Sequence, residues 1–195
     1  MNRQRGFTLI ELIITMAIAA IVVTIGVPSF QAMMRNNRAA AHTNEFMSAL
    51  NLARSEAIKR GWRVVLCPGN QAGCNGNAWG NGWIVFIDAD ANGNNILDQA
   101  TDDNGQWDNG EVILRVYEPF GGNTTLLGDA PVSQYISFSP DGATRFAGSN
   151  AFQAGRLTLS LCYDNDQQNQ IVINVVGRAR VDNRTPAQTG TACTH

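Results

Sequence analysis

Charge is the scarcest ingredient of this 195-residue sequence, with 15% Asp, Glu, Lys and Arg against roughly 25% in ordinary soluble domains. The formal net charge is −2, which excludes a protein that coats nucleic acid by bulk positive charge. Lysine is nearly absent: Lys59 is the one lysine, beside thirteen arginines. Only two histidines occur, His42 and His195. They cannot supply a three-histidine metal site, and their positions speak against a histidine-dependent catalytic triad. There is no Gly-rich phosphate loop, and acidic pairs such as Asp102-Asp103 have nothing beside them to separate two carboxyl pKa values. No enzyme and no cofactor are expected. Disorder is excluded as well, because 44% of the residues are hydrophobic and the net charge is small.

The apolar residues are concentrated at one end. Residues 7–27 form a run of 21 predominantly apolar residues, preceded by Arg3 and Arg5. As a helix the run reaches roughly 32 Å, enough to cross a bilayer core of about 30 Å. The arginines place the N-terminus on the cytoplasmic side and the rest of the chain outside. A cleaved secretory signal with Ala17-Ile18-Ala19 as its processing site is the competing reading, but the apolar run continues to Val27. Neither that reading nor a plain anchor has a use for Glu11, a carboxylate inside the run. A charge in hydrocarbon costs a few kcal/mol and is generally paired and functional.

The stretch Gly6-Phe7-Thr8-Leu9-Ile10-Glu11-Leu12 resembles the prepilin motif of type IV pilins and type II secretion pseudopilins. That resemblance implies cleavage between Gly6 and Phe7 by a prepilin peptidase and N-methylation of Phe7. It also implies that Glu11 pairs with the terminal amine of a neighbouring subunit during assembly, and a buried carboxylate is tolerable when it meets a buried ammonium. Pro28 matches the position at which the long helix of the family kinks.

Beyond Pro28 the pattern stays helical to about Arg60. Phe46, Leu50, Ala53 and Ala57 make one apolar stripe, and Gly61 follows Lys59 and Arg60 as a C-terminal stop. The remainder reads as strands: Trp62–Cys67, Trp83–Asp88, Val112–Tyr117, Tyr135–Ser139, Arg156–Cys162 and Ile171–Val176. Asn-Gly, Asp-Gly and Gly-Gly pairs mark turns between them. The expected class is α+β, a long helix laid on antiparallel sheet. The expected organisation is a leader over 1–6, a transmembrane or filament-core helix over 7–28, a helix entering the head over 29–61 and a β-rich head over 62–195.

Three stretches of the head are similar to the FimT/FimU/GspH group of minor pilins and pseudopilins. They are Gly82–Asn92-Gly93 leading on to Asn109–Arg115, Ile136–Gly142, and Val175–Arg180 before Cys193. The resemblance implies a subunit of the inner membrane with its head in the periplasm, or outside the cell once in a pilus. Its partners would be other pilin or pseudopilin subunits and the prepilin peptidase. In the FimT branch a Gly-Arg-x-Arg stretch is linked with DNA capture, which makes Arg178, Arg180 and Arg184 candidate DNA-binding residues and DNA an alternative partner. The opposing reading is a sheet-edge arginine set that contacts a neighbouring subunit or a local carboxylate such as Asp182.

Four cysteines, Cys67, Cys74, Cys162 and Cys193, in an extracytoplasmic head point to disulfides rather than zinc. Three connectivities are open. The favoured one joins Cys67 to Cys74 across a short Gly-rich loop and Cys162 to Cys193 near the tail. Asp88-Ala89-Asp90-Ala91-Asn92-Gly93 has the opening pattern of a calcium loop, with Asp88, Asp90 and Asn92 as weak ligand candidates. Its twelfth position is Gln99, which cannot supply a bidentate carboxylate, so a solvated turn is the stronger expectation.

Overall fold

The computed structural model describes residues 8–88, 103–108, 110–121, 124–149, 151–161 and 168–184. The chain divides into two compact units, residues 1–38 and residues 39–195.

In the first unit the described residues are Thr8 and the opening of helix α1 (Leu9–Arg60). Its aliphatic side chains, from Leu9 through Val27, are exposed on every face. A helix apolar all round needs lipid or other helices around it, and this one is long and apolar enough to cross a membrane.

In the second unit α1 carries a one-sided stripe. Ala39, Thr43, Phe46, Ala49, Leu50, Ala53 and Ala57 are buried, so the expected Phe46 stripe is the packing face. The stripe residues Ala39, Phe46, Ala49, Leu50, Ala53 and Ala57 join strand residues such as Val64, Trp83 and Leu157 in one core. The helix stops where expected: Gly61 takes φ +71° and returns its N–H to the Ala57 carbonyl at 3.0 Å, a left-handed C-cap.

Two antiparallel sheets pack under that stripe. The first contains β1 (Arg63–Asn70), β2 (Gly73–Cys74), β3 (Trp83–Asp88), β4 (Ile113–Tyr117) and β6 (Ile136–Phe138), with β1 between β3 and β6. The second runs in the order β5 (Thr124–Gly128), β7 (Gly155–Leu161), β8 (Gln168–Ile173), β9 (Ala179–Arg184). The α+β expectation holds, with two sheets where one was anticipated. Strand β3 is buried along its whole length because both its faces are covered. Trp83, Val85 and Ile87 face the main core with Phe46 and Leu50, while Ile84 and Phe86 join Val65, Cys67 and Trp107 in a second apolar cluster. This double covering explains the unbroken apolar run Trp83–Ile87, where a half-exposed strand would alternate.

In the second sheet Leu157, Leu159, Ile171 and Ile173 face the main core, as their alternation predicts. Two expectations are corrected. The strand Ile171–Val176 ends at Ile173, because Asn174–Gly177 forms a turn. Strands β5 and β9 have no counterpart among the runs expected from the sequence. Both are edge strands with short or polar sequences, Thr-Thr-Leu-Leu-Gly and Ala-Arg-Val-Asp-Asn-Arg, and pairing with β7 and β8 selects them.

Candidate functional site

Helix α1 begins at a threonine. The Thr8 hydroxyl accepts the Glu11 backbone N–H at 3.3 Å, an N-cap that satisfies one of the free donors of the first turn. Glu11 lies in that first turn, where the helix dipole favours negative charge. The hydroxyls of Thr15 and Thr24 donate to the carbonyls of Leu12 and Ile21, each at 2.8 Å, so neither presents an unsatisfied donor outward. Glu11 is thus the acidic group of an otherwise apolar exposed surface. Gly6 and Phe7, the expected processing residues, lie outside the described residues.

Of the candidate arginines, Arg178 sits at the β8–β9 turn and Arg180 just beyond it in β9. Asn174 closes it: its N–H donates to the Arg178 carbonyl at 3.1 Å, its carbonyl accepts from Gly177 at 3.0 Å, and its side-chain oxygen accepts the Arg178 N–H at 2.8 Å. Gly177 has φ +73°, and a Cβ there would lie 2.0 Å from the Gly142 carbonyl oxygen. This glycine is required by backbone against backbone. The neighbouring turn is Pro140-Asp141-Gly142, so two of the stretches singled out from the sequence meet here. Arg54 of α1 ties them together, donating from Nε to the Gly142 carbonyl at 3.0 Å and from Nη2 to the Val176 carbonyl at 3.3 Å. Thr144 adds its hydroxyl to the Asn174 carbonyl at 2.9 Å.

Arg178 and Arg180 emerge exposed from this junction, and among the described residues neither forms a salt bridge. They do not lie on one continuing strand. Arg178 ends the turn, and Arg180 stands opposite Val172 in β9. Arg184 is opposite Gln168 at the far end of that strand. Two exposed guanidinium groups can meet an anion, but nothing in the described surroundings selects nucleic acid. The roles of Arg54 and Thr144 depend on contacts across 30 to 122 positions of chain, which no local pattern records, whereas Asn174 acts within its own turn, at a spacing of three from Gly177.

The Cys67–Cys74 disulfide is present, with Cα atoms 5.5 Å apart. It closes the β1–β2 hairpin, in which Gly69 pairs with Cys74. Cys162 and Cys193 lie outside the described residues.

Asp88 ends β3, buried at 1% exposure. Its two carboxylate oxygens accept the backbone N–H groups of Asn104 at 3.2 Å and Gly105 at 2.8 Å. Burial pushes its pKa up to about 6, helped by the negative charge of Asp103 and opposed by the Gly105 N–H bond. Asp103 itself pairs with Arg63, and Arg63 also donates to the Ser137 hydroxyl at 2.7 Å. The Asp88 carboxylate therefore ties the end of β3 to the backbone at Asn104 and Gly105. Asp90 and Asn92 lie outside the described residues, and among the described residues no group of His, Cys, Asp and Glu side chains is arranged to hold a metal ion. Asp141 shows the opposite shift: hydrogen bonds from the Ser139 hydroxyl, the Ala143 N–H and Arg145 lower its pKa to about 2.

Comparison with known proteins adds three findings. Residues 42–177 match the family described as type II transport protein GspH. Residues 1–27 match the prokaryotic N-terminal methylation motif. Among solved structures, a crystal structure of the type IV minor pilin FimU of Pseudomonas aeruginosa superposes with a TM-score of 0.53 at 15% identity, covering 83% of this chain and 99% of that one. At that identity the likeness is one of fold.

Proposed function

Because this chain belongs to the GspH family and carries the prokaryotic N-terminal methylation motif, we propose that it is a minor pilin or pseudopilin, held in the inner membrane and then assembled into a filament. The observation that carries this reading is the opening of α1: aliphatic side chains exposed on every face, with one carboxylate, Glu11, in the first turn. In lipid that carboxylate is costly. Beside a newly exposed N-terminal ammonium the same group becomes favourable, because two opposite charges sharing a dry site offset each other's desolvation. Cleavage between Gly6 and Phe7 would create that ammonium. Glu11 would then favour transfer of the helix out of lipid and into a bundle with neighbouring subunits. The head would stay outside the cytoplasm, where its disulfide can persist. The role is structural, and no catalytic step is assigned.

The mature N-terminus tests this directly. Protein recovered from membranes should lack residues 1–6 and begin with Phe7 carrying one extra methyl group, by Edman sequencing and intact mass. A chain that still begins at Met1, or begins near Ala20 as a secretory-signal product would, overturns the reading.

A further inference from the structure

A groove of about 360 Å³ opens on the head between three segments, lined by Cys74, Asn75, Gly76, Asn77, Gln106 and Gln134. Its volume lies at the low end of the roughly 300–1,000 Å³ typical of small-molecule sites. Four of its lining residues, Asn75, Asn77, Gln106 and Gln134, carry side-chain amides, and among the described residues no ionisable group lines the wall. All four amide residues are exposed, and none spends its side chain on a hydrogen bond to another described residue.

Each wall is held in place by groups behind it. The Cys74–Asn77 wall is fixed by the Cys67–Cys74 disulfide and by the Asn75 N–H bond to the Pro68 carbonyl at 2.6 Å. The Gln106 wall is fixed by the Asp88 carboxylate, which holds the N–H groups of Asn104 and Gly105. Asn104 in turn accepts the Gln106 N–H at 2.6 Å. Gln134 adjoins Tyr135, whose carbonyl accepts from the buried Gln153 side chain at 2.9 Å and whose hydroxyl accepts the Ala147 N–H at 3.2 Å. The backbone is pinned while the amides are unspent, which limits the ordering cost of binding.

We propose that this groove binds a neutral, hydroxyl-rich ligand, a short saccharide. A primary amide offers two donors and an acceptor side by side, and a sugar hydroxyl is both donor and acceptor, so amides and hydroxyls can satisfy one another in pairs. Among the described residues a phosphate or carboxylate would find no cation on these walls, and a wholly apolar molecule would take the amides out of water without pairing them. The occupant is therefore distinct in kind from any anion that meets Arg178 and Arg180.

The test uses the full chain in a zwitterionic detergent without a sugar headgroup. Saturation-transfer NMR is recorded with chitobiose, maltose and lactose, and with acetate as a charged control. The expected result is saturation transfer to at least one of the neutral disaccharides, with a Kd of about millimolar, and none to acetate. The variant Asn77→Ala with Gln106→Ala should weaken that binding at least roughly tenfold, a loss of about 1.4 kcal/mol, with an unchanged circular dichroism spectrum. A second variant, Gln134→Ala, should weaken it on its own. No transfer to any neutral disaccharide, or binding that survives both variants, overturns the proposal.

Discussion

Gly177 and Gly142 illustrate how a single hydrogen in place of a methyl group decides local architecture. With φ +73° and a carbonyl oxygen 2.0 Å from where a Cβ would sit, Gly177→Ala must move one of the two turns. The expected cost is about 2 kcal/mol or more, read from the urea midpoint, with the α1 stripe itself untouched. Asp88 and Asp141 make opposite demands on pH. The folded Asp88 pKa, about 6, lies above its ordinary value of 3.8, so between those values the folded state holds more proton than the unfolded one. Stability from this group therefore falls as pH rises from about 4 to about 6, and is level beyond. The folded Asp141 pKa is about 2, so its contribution is present above the ordinary carboxylate range and is lost as pH falls toward 2. Melting temperature against pH should pass through a maximum near the acid end between these windows. In Asp88→Asn the descending limb between about pH 4 and 6 should flatten. If the limb keeps its slope in that variant, another group is responsible for it.

At the scale of elements, the C-terminal half of α1 is the part whose packing partners are most concentrated. The Phe46 ring meets Trp79 and Trp83 edge-on, with centroids 5.3 and 5.1 Å away. Phe46→Ala opens a hole between the helix and the first sheet, and the expected loss is about 3–5 kcal/mol, measured by denaturant unfolding. The Cys67–Cys74 bridge closes a short loop with a sequence separation of 7. Replacing both cysteines with serine should cost about 2–3 kcal/mol on the chain-entropy view, and should loosen the wall of the amide groove along with the β1–β2 hairpin. The helix, its stop at Gly61 and strand β3 were legible because each depends on neighbours in sequence: a stripe of spacing three and four, a left-handed cap, a run of β-branched and aromatic residues. Strands β5 and β9 were not legible, because an edge strand with polar side chains is selected by the partner it pairs with. The sequence predicts strand through Val176 because Val175 and Val176 have β-forming side chains, but Asn174–Gly177 is a turn. Hydrogen bonds from Asn174 and the close approach of Gly142 override that preference.

For the molecule as a whole, one prediction separates the membrane segment from the head. Glu11→Ala removes a carboxylate from the first turn of α1, in the first of the two units. The variant should be inserted and cleaved like the parent, and its head should keep the parent's resistance to proteolysis. Its co-purification with other subunits of a filament should fall at least roughly tenfold, because an unpaired ammonium in an apolar bundle costs several kcal/mol. Retained co-purification would remove Glu11 from the assembly step. By itself the sequence determined the apolar run, the carboxylate within it, the processing motif and the α+β class, because hydrophobic periodicity and a misplaced charge are local facts that survive without a fold. Only the tertiary structure decided that two sheets lie under the helix, that Arg54 joins two distant turns, that Asp88 holds the backbone at Asn104 and Gly105, and that four amide residues line one groove. Those outcomes depend on which buried polar groups find partners across the chain, and partners far apart in sequence leave no mark on the pattern around either residue.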